Sequence, residues 1–181
     1  MLIGATVFWV IAVPTWLVRG VKPQHRMTLA VAGFIVLVPA GYALAALEPR
    51  YVLAALVLVW IADTAAYFVG RKWGRRKLAP GISPGKTWEG AWGGVGAAMA
   101  YAIICGTFLL GVAGWPGYLV VAALLAAISI VGDLFESAAK RQAGVKDSGT
   151  LLPGHGGIMD RIDSATAVLP VAALLLTLHR P

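Results

Sequence analysis

The stretch Tyr51–Gly70, YVLAALVLVWIADTAAYFVG, decides the fold. A helix needs about 20 largely apolar residues to cross a bilayer, and this run has that length with one ionisable acid, Asp63, inside it. Asp63 falls roughly 10 Å from the C-terminal end of the run at 1.5 Å per residue. A lone carboxylate near the bilayer centre costs on the order of 2.5–3.5 kcal/mol. Two readings follow. Asp63 pairs with a base on a neighbouring helix, or it belongs to a charged site sunk below the membrane surface.

Five further apolar runs flank this one, at 2–18, 27–47, 90–113, 116–132 and 162–178. Of the 181 residues 59% are hydrophobic and only 13% charged, with mean hydropathy +0.80. A soluble domain carries about twice that share of charge, so a water-soluble globule is excluded and a bilayer is the fitting solvent. The expected fold is all-α: one polytopic membrane helix bundle over 1–181, with about six transmembrane helices and two long loops. Residues 1–50 form N-terminal helices and 51–181 the part that carries chemistry. Residues 1–18 lack the basic start and cleavage site of a signal peptide. They read as a spanning segment or as the start of a chain cut from something longer. Cys105 is the one cysteine, so no intramolecular disulfide can form.

The connections alternate in charge. Residues 19–26 hold Arg19, Lys22 and Arg26; 71–89 hold Arg71, Lys72, Arg75, Arg76, Lys77 and Lys86; 133–161 hold Lys140, Arg141, Lys146 and Arg161. The turn at 48–50 balances Glu48 with Arg50, and the one near 114–116 is uncharged. The positive-inside rule places the three basic connections in the cytoplasm and both termini outside. The net charge of +7 then reflects topology and anionic lipid headgroups rather than nucleic acid. Trp73, Trp88 and Trp115 lie near the interfaces, as an aromatic belt requires; Trp60 lies mid-span.

Acids gather in the third basic connection. Asp133 closes an apolar helix, and Asp133, Glu136 and Lys140 share one helical face. Asp160 and Asp163 share a face on the entry turn of the last helix, with Arg161 turned about 100° away. One such acid would merely complement a helix N-terminus. Four acids together need a cation, and an all-oxygen donor set with one nearby histidine favours Mg²⁺ over Zn²⁺. Pro153–Gly157, PGHGG, is a turn whose amides can cradle phosphate. His155 in it reads equally as hydrogen-bond donor, proton carrier or turn residue.

The second connection contains Gly85-Lys86-Thr87, the end of a P-loop, but the first glycine that motif requires is Pro80 here. The flanks are membrane helices and no strand is expected, so the P-loop is rejected. What remains is a basic, glycine-rich loop in which Ser83, Lys86 and Thr87, beside Glu89, can bind phosphate. Arg71, Lys72, Arg75 and Arg76 read equally well as topogenic charges that touch lipid.

From Ser137 onward the chain resembles the phosphatidate cytidylyltransferases. Their signature S-x-x-K-R-x4-K-D-x-G-x3-P-G-H-G-G-x-x-D-R-x-D is met by Ser137, Lys140, Arg141, Lys146, Asp147, Gly149, Pro153, Gly154, His155, Gly156, Gly157, Asp160, Arg161 and Asp163. Ala62–Gly90 and the GDLFES segment around Asp133 match the family's upstream pattern, so the likeness covers roughly 50–180. Members usually carry further membrane helices ahead of this part. The resemblance implies the reaction of CTP with phosphatidate to give CDP-diacylglycerol and pyrophosphate, at the cytoplasmic face of a bacterial inner membrane. It implies Mg²⁺ on Asp133 and Asp160, with Asp163, and room for a second cation at Asp63. It assigns catalytic roles to Asp133, Asp160, Lys146, Arg161 and His155. Substrate contacts fall to Ser83, Lys86, Thr87, Glu89, Lys140, Arg141 and Asp147. Membrane lipids are partners, and a homodimer stays open. The CDP-alcohol phosphotransferase pattern is absent from the sequence. A transporter or lipid-binding subunit, or an inactive homologue, is the alternative.

Overall fold

The computed structural model describes residues 1–19, 26–106, 115–145, 147–149 and 157–179, and only the backbone of residues 26, 28, 29, 115, 116 and 179. Each apolar run is helical over its described residues. The first is a rod made of α1 (Leu2–Val7), a π-helical turn (Phe8–Ala12) and α2 (Val13–Arg19). Pro14 stands two residues after the π turn, and a wider turn relieves the clash between a proline ring and the carbonyl four residues earlier. Thr15 Oγ1 donates to the Ile11 carbonyl at 2.6 Å. Then come α3 (Arg26–Ala46), α4 (Pro49–Trp73), β1 (Lys77–Ala79), β2 (Ser83–Thr87), α5 (Trp88–Cys105), α6 (Trp115–Gln142) and α7 (Met159–His179).

Among the described residues four helices, Leu2–Arg19, Pro49–Trp73, Gly117–Gln142 and Met159–Leu178, are long and apolar enough to cross a membrane. Ala30–Ala46 is a shorter apolar helix. The run 90–113 is diluted by Gly90, Gly93, Gly94 and Gly96 in α5, and its residues 107–113 lie outside the described set. The molecule is a membrane helix bundle.

Packing follows from the absence of a hydrophobic drive between helices in lipid: small residues let backbones approach. Ala43, Ala98, Ala126 and Ala167 are wholly buried, while Ile3, Phe34 and Phe68 point outward. The central helix is α7, which packs against α1, α3, α4 and α6. The tightest seam joins α4 to α5. A Cβ at Gly90 would meet the Ala66 carbonyl oxygen at 2.7 Å, and one at Gly94 the Ala62 oxygen at 2.8 Å. At the α6–α7 crossing a Cβ on Gly132 would stand 2.9 Å from the Ala167 Cβ. The first rod is fastened to α6 by aromatics: Phe135 meets Phe8 and Trp9 edge to face at 5.8 and 5.4 Å.

Two expectations are corrected. The connection 71–89 is not free of strands. Lys77 pairs with Thr87 and Ala79 with Ser83 in an antiparallel ribbon with an irregular register, turned at Ile82, whose amide donates to the Ala79 carbonyl at 3.1 Å. Pro80 and Gly81 suit the turn, and Ile82 is buried with Leu134 and Ala138, so tertiary packing holds a ribbon that local propensity does not announce. Second, Asp133 does not close its helix. α6 runs on to Gln142, which leaves Asp133 roughly 13 Å from the helix end. The ribbon, the last turns of α6 and Trp16 and Leu17 of α2 share one apolar cluster, so these basic segments emerge at one end of the bundle.

Candidate active site

At that end a cavity of about 590 Å³ opens between α4, the ribbon and α6, a volume within the range of small-molecule sites. Asp63 and Asp133 line it together with Ser83, Lys86 and Thr87. Three elements deliver the charges. Asp63 comes from α4, ten residues before Trp73 and therefore roughly 15 Å below the end of that helix. Lys86 comes from β2, and its ammonium pairs with Asp133 of α6 at 2.5 Å. Ser137, one turn on, donates to the other Asp133 oxygen at 3.3 Å. Asp163 belongs to the same neighbourhood. Asp63, Asp133 and Asp163 act on one another electrostatically, with Lys86 as their shared counter-charge. Ser164 Oγ donates to Asp63 at 3.4 Å and the Ser164 amide to Asp163 at 2.7 Å.

The ribbon holds Lys86 in place through its flanks. Thr87 caps α5, its hydroxyl accepting from the Gly90 amide at 3.2 Å. Glu89, just ahead of the apolar part of α5, accepts from the amides of Arg75 and Arg76 at 3.0 and 3.2 Å. Its own amide and these two hold the Glu89 carboxyl below the usual glutamate range. Glu89 therefore ties the end of α4 to the start of α5 and is committed to backbone.

Asp160 sits in a second network. One oxygen accepts from Lys140 Nζ at 2.6 Å. The other takes the Ser148 amide at 3.0 Å, the Ser148 hydroxyl at 2.8 Å and the Gly157 amide at 2.7 Å. Lys140 also pairs with Glu136 at 2.8 Å. The three side chains are largely buried, and Glu136 Oε1 has no hydrogen-bond partner among the described residues. Of the four carboxylates expected to hold metal, Asp63, Asp133 and Asp163 are thus brought together and Asp160 is engaged elsewhere. Among the described residues no three His, Cys, Asp or Glu side chains form a ready ion cage, because Asp133 is turned to Lys86 and Asp163 to an amide. The donor set nonetheless suits a divalent cation: three carboxylates against one ammonium leave net negative charge, and every donor is oxygen.

Arg141 and Asp147 are exposed, and Arg161 is exposed on the first turn of α7. Lys146 and Pro153 to Gly156, His155 included, lie outside the described residues. Ser148 was not expected at the site, and Glu136, read as one of four gathered acids that need a cation, is paired with Lys140. The i,i+4 spacing on one helical face accounts for that pair. Nothing local signals that Ser164 would meet Asp63 across 101 residues.

Comparison with known proteins shows the family. A phosphatidate cytidylyltransferase of Pseudomonas aeruginosa is 50% identical over 157 residues, covering 80% of this chain and 55% of that protein. Those of Haemophilus influenzae and Staphylococcus epidermidis are 52% and 47% identical over 118 and 128 residues, covering 63% and 70% of this chain and 41% and 49% of theirs. The chain spans about half the length of the curated relatives it matches. The model of the Cytidylyltransferase family matches residues 1–179. The chain belongs to the cytidylyltransferase family.

Proposed function

We propose that the chain transfers the cytidylyl group of CTP to phosphatidate, releasing pyrophosphate and forming CDP-diacylglycerol. The observation that carries this reading is the cavity whose floor joins Asp63, Lys86 and Asp133 below the end of α4. A lipid phosphate at the membrane surface and a nucleotide from the aqueous side can meet there. The basic end of the bundle supports a cytoplasmic orientation in a bacterial inner membrane.

A phosphate monoester has its second pKa near 6 and is largely dianionic at neutral pH, so the attacking oxygen needs no strong general base. It forms a bond to the α-phosphorus of CTP while the bond from that phosphorus to the bridging oxygen breaks, and pyrophosphate leaves with the electron pair. Positioning and charge neutralisation are then the main tasks. Asp133, Asp63 and Asp163 would hold Mg²⁺, which when bound supplies positive charge at the reacting phosphoryl group. Lys86, released from Asp133, binds phosphate oxygen. Ser83 orients phosphate along the ribbon, and Thr87 holds the ribbon to α5 as its cap. Glu136, Lys140 and Asp160 keep the α6–α7 junction in shape.

The test is conversion of phosphatidate to CDP-diacylglycerol by the purified chain in lipid–detergent micelles, with Mg²⁺ or with EDTA. Mg²⁺-dependent product is the expected result. A folded chain that neither binds CTP nor forms product would overturn the reading.

A further inference from the structure

The wall of the cavity along α4 is a ladder. Asp63, Tyr67 and Arg71 all line it, spaced i, i+4 and i+8 on one face of the helix. Arg71 stands roughly 12 Å above Asp63, and Lys77 of β1 lines the cavity as well. The acids thus stand at the deep end, with Lys86 between them and the ribbon. The two further bases, both exposed, stand toward the end of α4. Arg71 Nη1 donates to the Tyr67 hydroxyl at 3.1 Å, which steadies the guanidinium. Among the described residues neither Arg71 nor Lys77 forms an ion pair with a carboxylate. Lys72 differs: it is turned to the Trp73 ring at 4.7 Å and does not line the cavity.

We propose that Arg71 and Lys77 form the docking site for the terminal phosphates of the nucleoside triphosphate, and hence for the leaving pyrophosphate. This deepens the proposed function and rests on it for the reaction, though not for the binding of a polyphosphate anion. The charge order of the cavity sets the direction of the triphosphate. Its α-phosphoryl group lies at the carboxylate end, where a cation and Lys86 can hold it. Its β- and γ-phosphates lie against the guanidinium and the ammonium. When the bond to the bridging oxygen breaks, the negative charge that develops on pyrophosphate faces two cations that pair with no carboxylate among the described residues, and the product leaves from the exposed end. A planar guanidinium that keeps donors beyond the one on Tyr67 is suited to phosphate oxygens.

The experiment compares Arg71→Gln, Lys77→Gln and the charge-matched control Lys72→Gln in the whole chain. Binding of radiolabelled pyrophosphate is measured by equilibrium dialysis, with and without Mg²⁺. KM is measured for CTP and for phosphatidate. A hydrogen bond to a charged group contributes about 1.5–3 kcal/mol. Loss of either base should therefore weaken pyrophosphate binding and raise KM for CTP about tenfold or more, with KM for phosphatidate changed less than about twofold. Lys72→Gln should leave all three unchanged. If KM for phosphatidate rises instead, the bases hold the lipid headgroup and the proposal fails. It fails equally if Lys72→Gln matches Arg71→Gln, if no variant differs from the parent, or if the parent binds no pyrophosphate. A chain that binds pyrophosphate through Arg71 and Lys77 but turns over no CTP would keep the site and overturn only the reaction.

Discussion

The two charged networks at this end of the bundle are built from the same residue types and behave differently. At the cavity floor Asp63 and Asp133, with Asp163 nearby, share one lysine, Lys86. At the α6–α7 junction one lysine, Lys140, is held by two carboxylates, and Asp160 takes three further donors. The second network is nearly saturated and closes on itself, as buried charge must if it is to stabilise a fold. The first carries negative charge that the described residues around it do not match. Charge left unmatched inside a membrane bundle marks function, while charge matched within the chain marks architecture. The signature motif contains both kinds and does not distinguish them.

The comparison predicts the largest effect at Asp133. Asp133→Asn should lower turnover about 10³-fold, which is about 4 kcal/mol of transition-state free energy. Its thermal midpoint, read by tryptophan fluorescence, should stay close to the parent's, since the Lys86 pair is partly exposed. Near-parental turnover would remove the cavity floor from the reaction. Lys140→Met should do the reverse in kind. It leaves Glu136 and Asp160 buried without their cation, at about 3 kcal/mol of stability, and unfolding in denaturant should shift accordingly. The matching double variant Glu136→Leu with Lys140→Met should recover part of that loss. If it recovers nothing, or if Lys140→Met stays stable yet loses CTP binding, Lys140 is a ligand and the contrast between the two networks collapses.

Smaller effects sharpen the same contrast by moving the cavity wall without touching its charges. Gly94→Ala puts a methyl against the Ala62 carbonyl, one residue from Asp63. The forced separation of α4 and α5 should cost about 1–3 kcal/mol and raise KM for CTP more than it lowers kcat. Unchanged stability and KM would show that the seam is slack. Thr87→Ala removes the α5 cap and should cost about 1 kcal/mol, seen as a lower thermal midpoint with kcat nearly retained. A larger loss of kcat than of stability would place the Thr87 hydroxyl on substrate.

Much of this was legible along the chain. The length and apolarity of each run specify a helix, because backbone groups in lipid must bond within their own segment. Asp63 stood out because an acid in such a run is costly. The reading stopped short wherever a charge had a choice of partners. Asp133 looked like a helix end because the apolar run stops there, yet the helix continues through Glu136, Ser137 and Lys140 on charge pairing and packing rather than on hydropathy. The ribbon was missed because residues 77–87 lack the alternation of a free-standing strand and are held by Ile82 against α6.

By itself the sequence determined that this chain is a membrane helix bundle, which connections are basic, and which family's motif it carries. Those properties are summed along the chain or fixed by local spacing. Only the tertiary structure decided that Lys86 meets Asp133, that Asp63 and Asp163 join them, and that Asp160 turns away to Lys140, Ser148 and Gly157. The physical reason is that a salt bridge depends on distances of a few ångströms between helices far apart in sequence. Those distances are set by where small residues such as Gly90, Gly94 and Gly132 let the backbones meet.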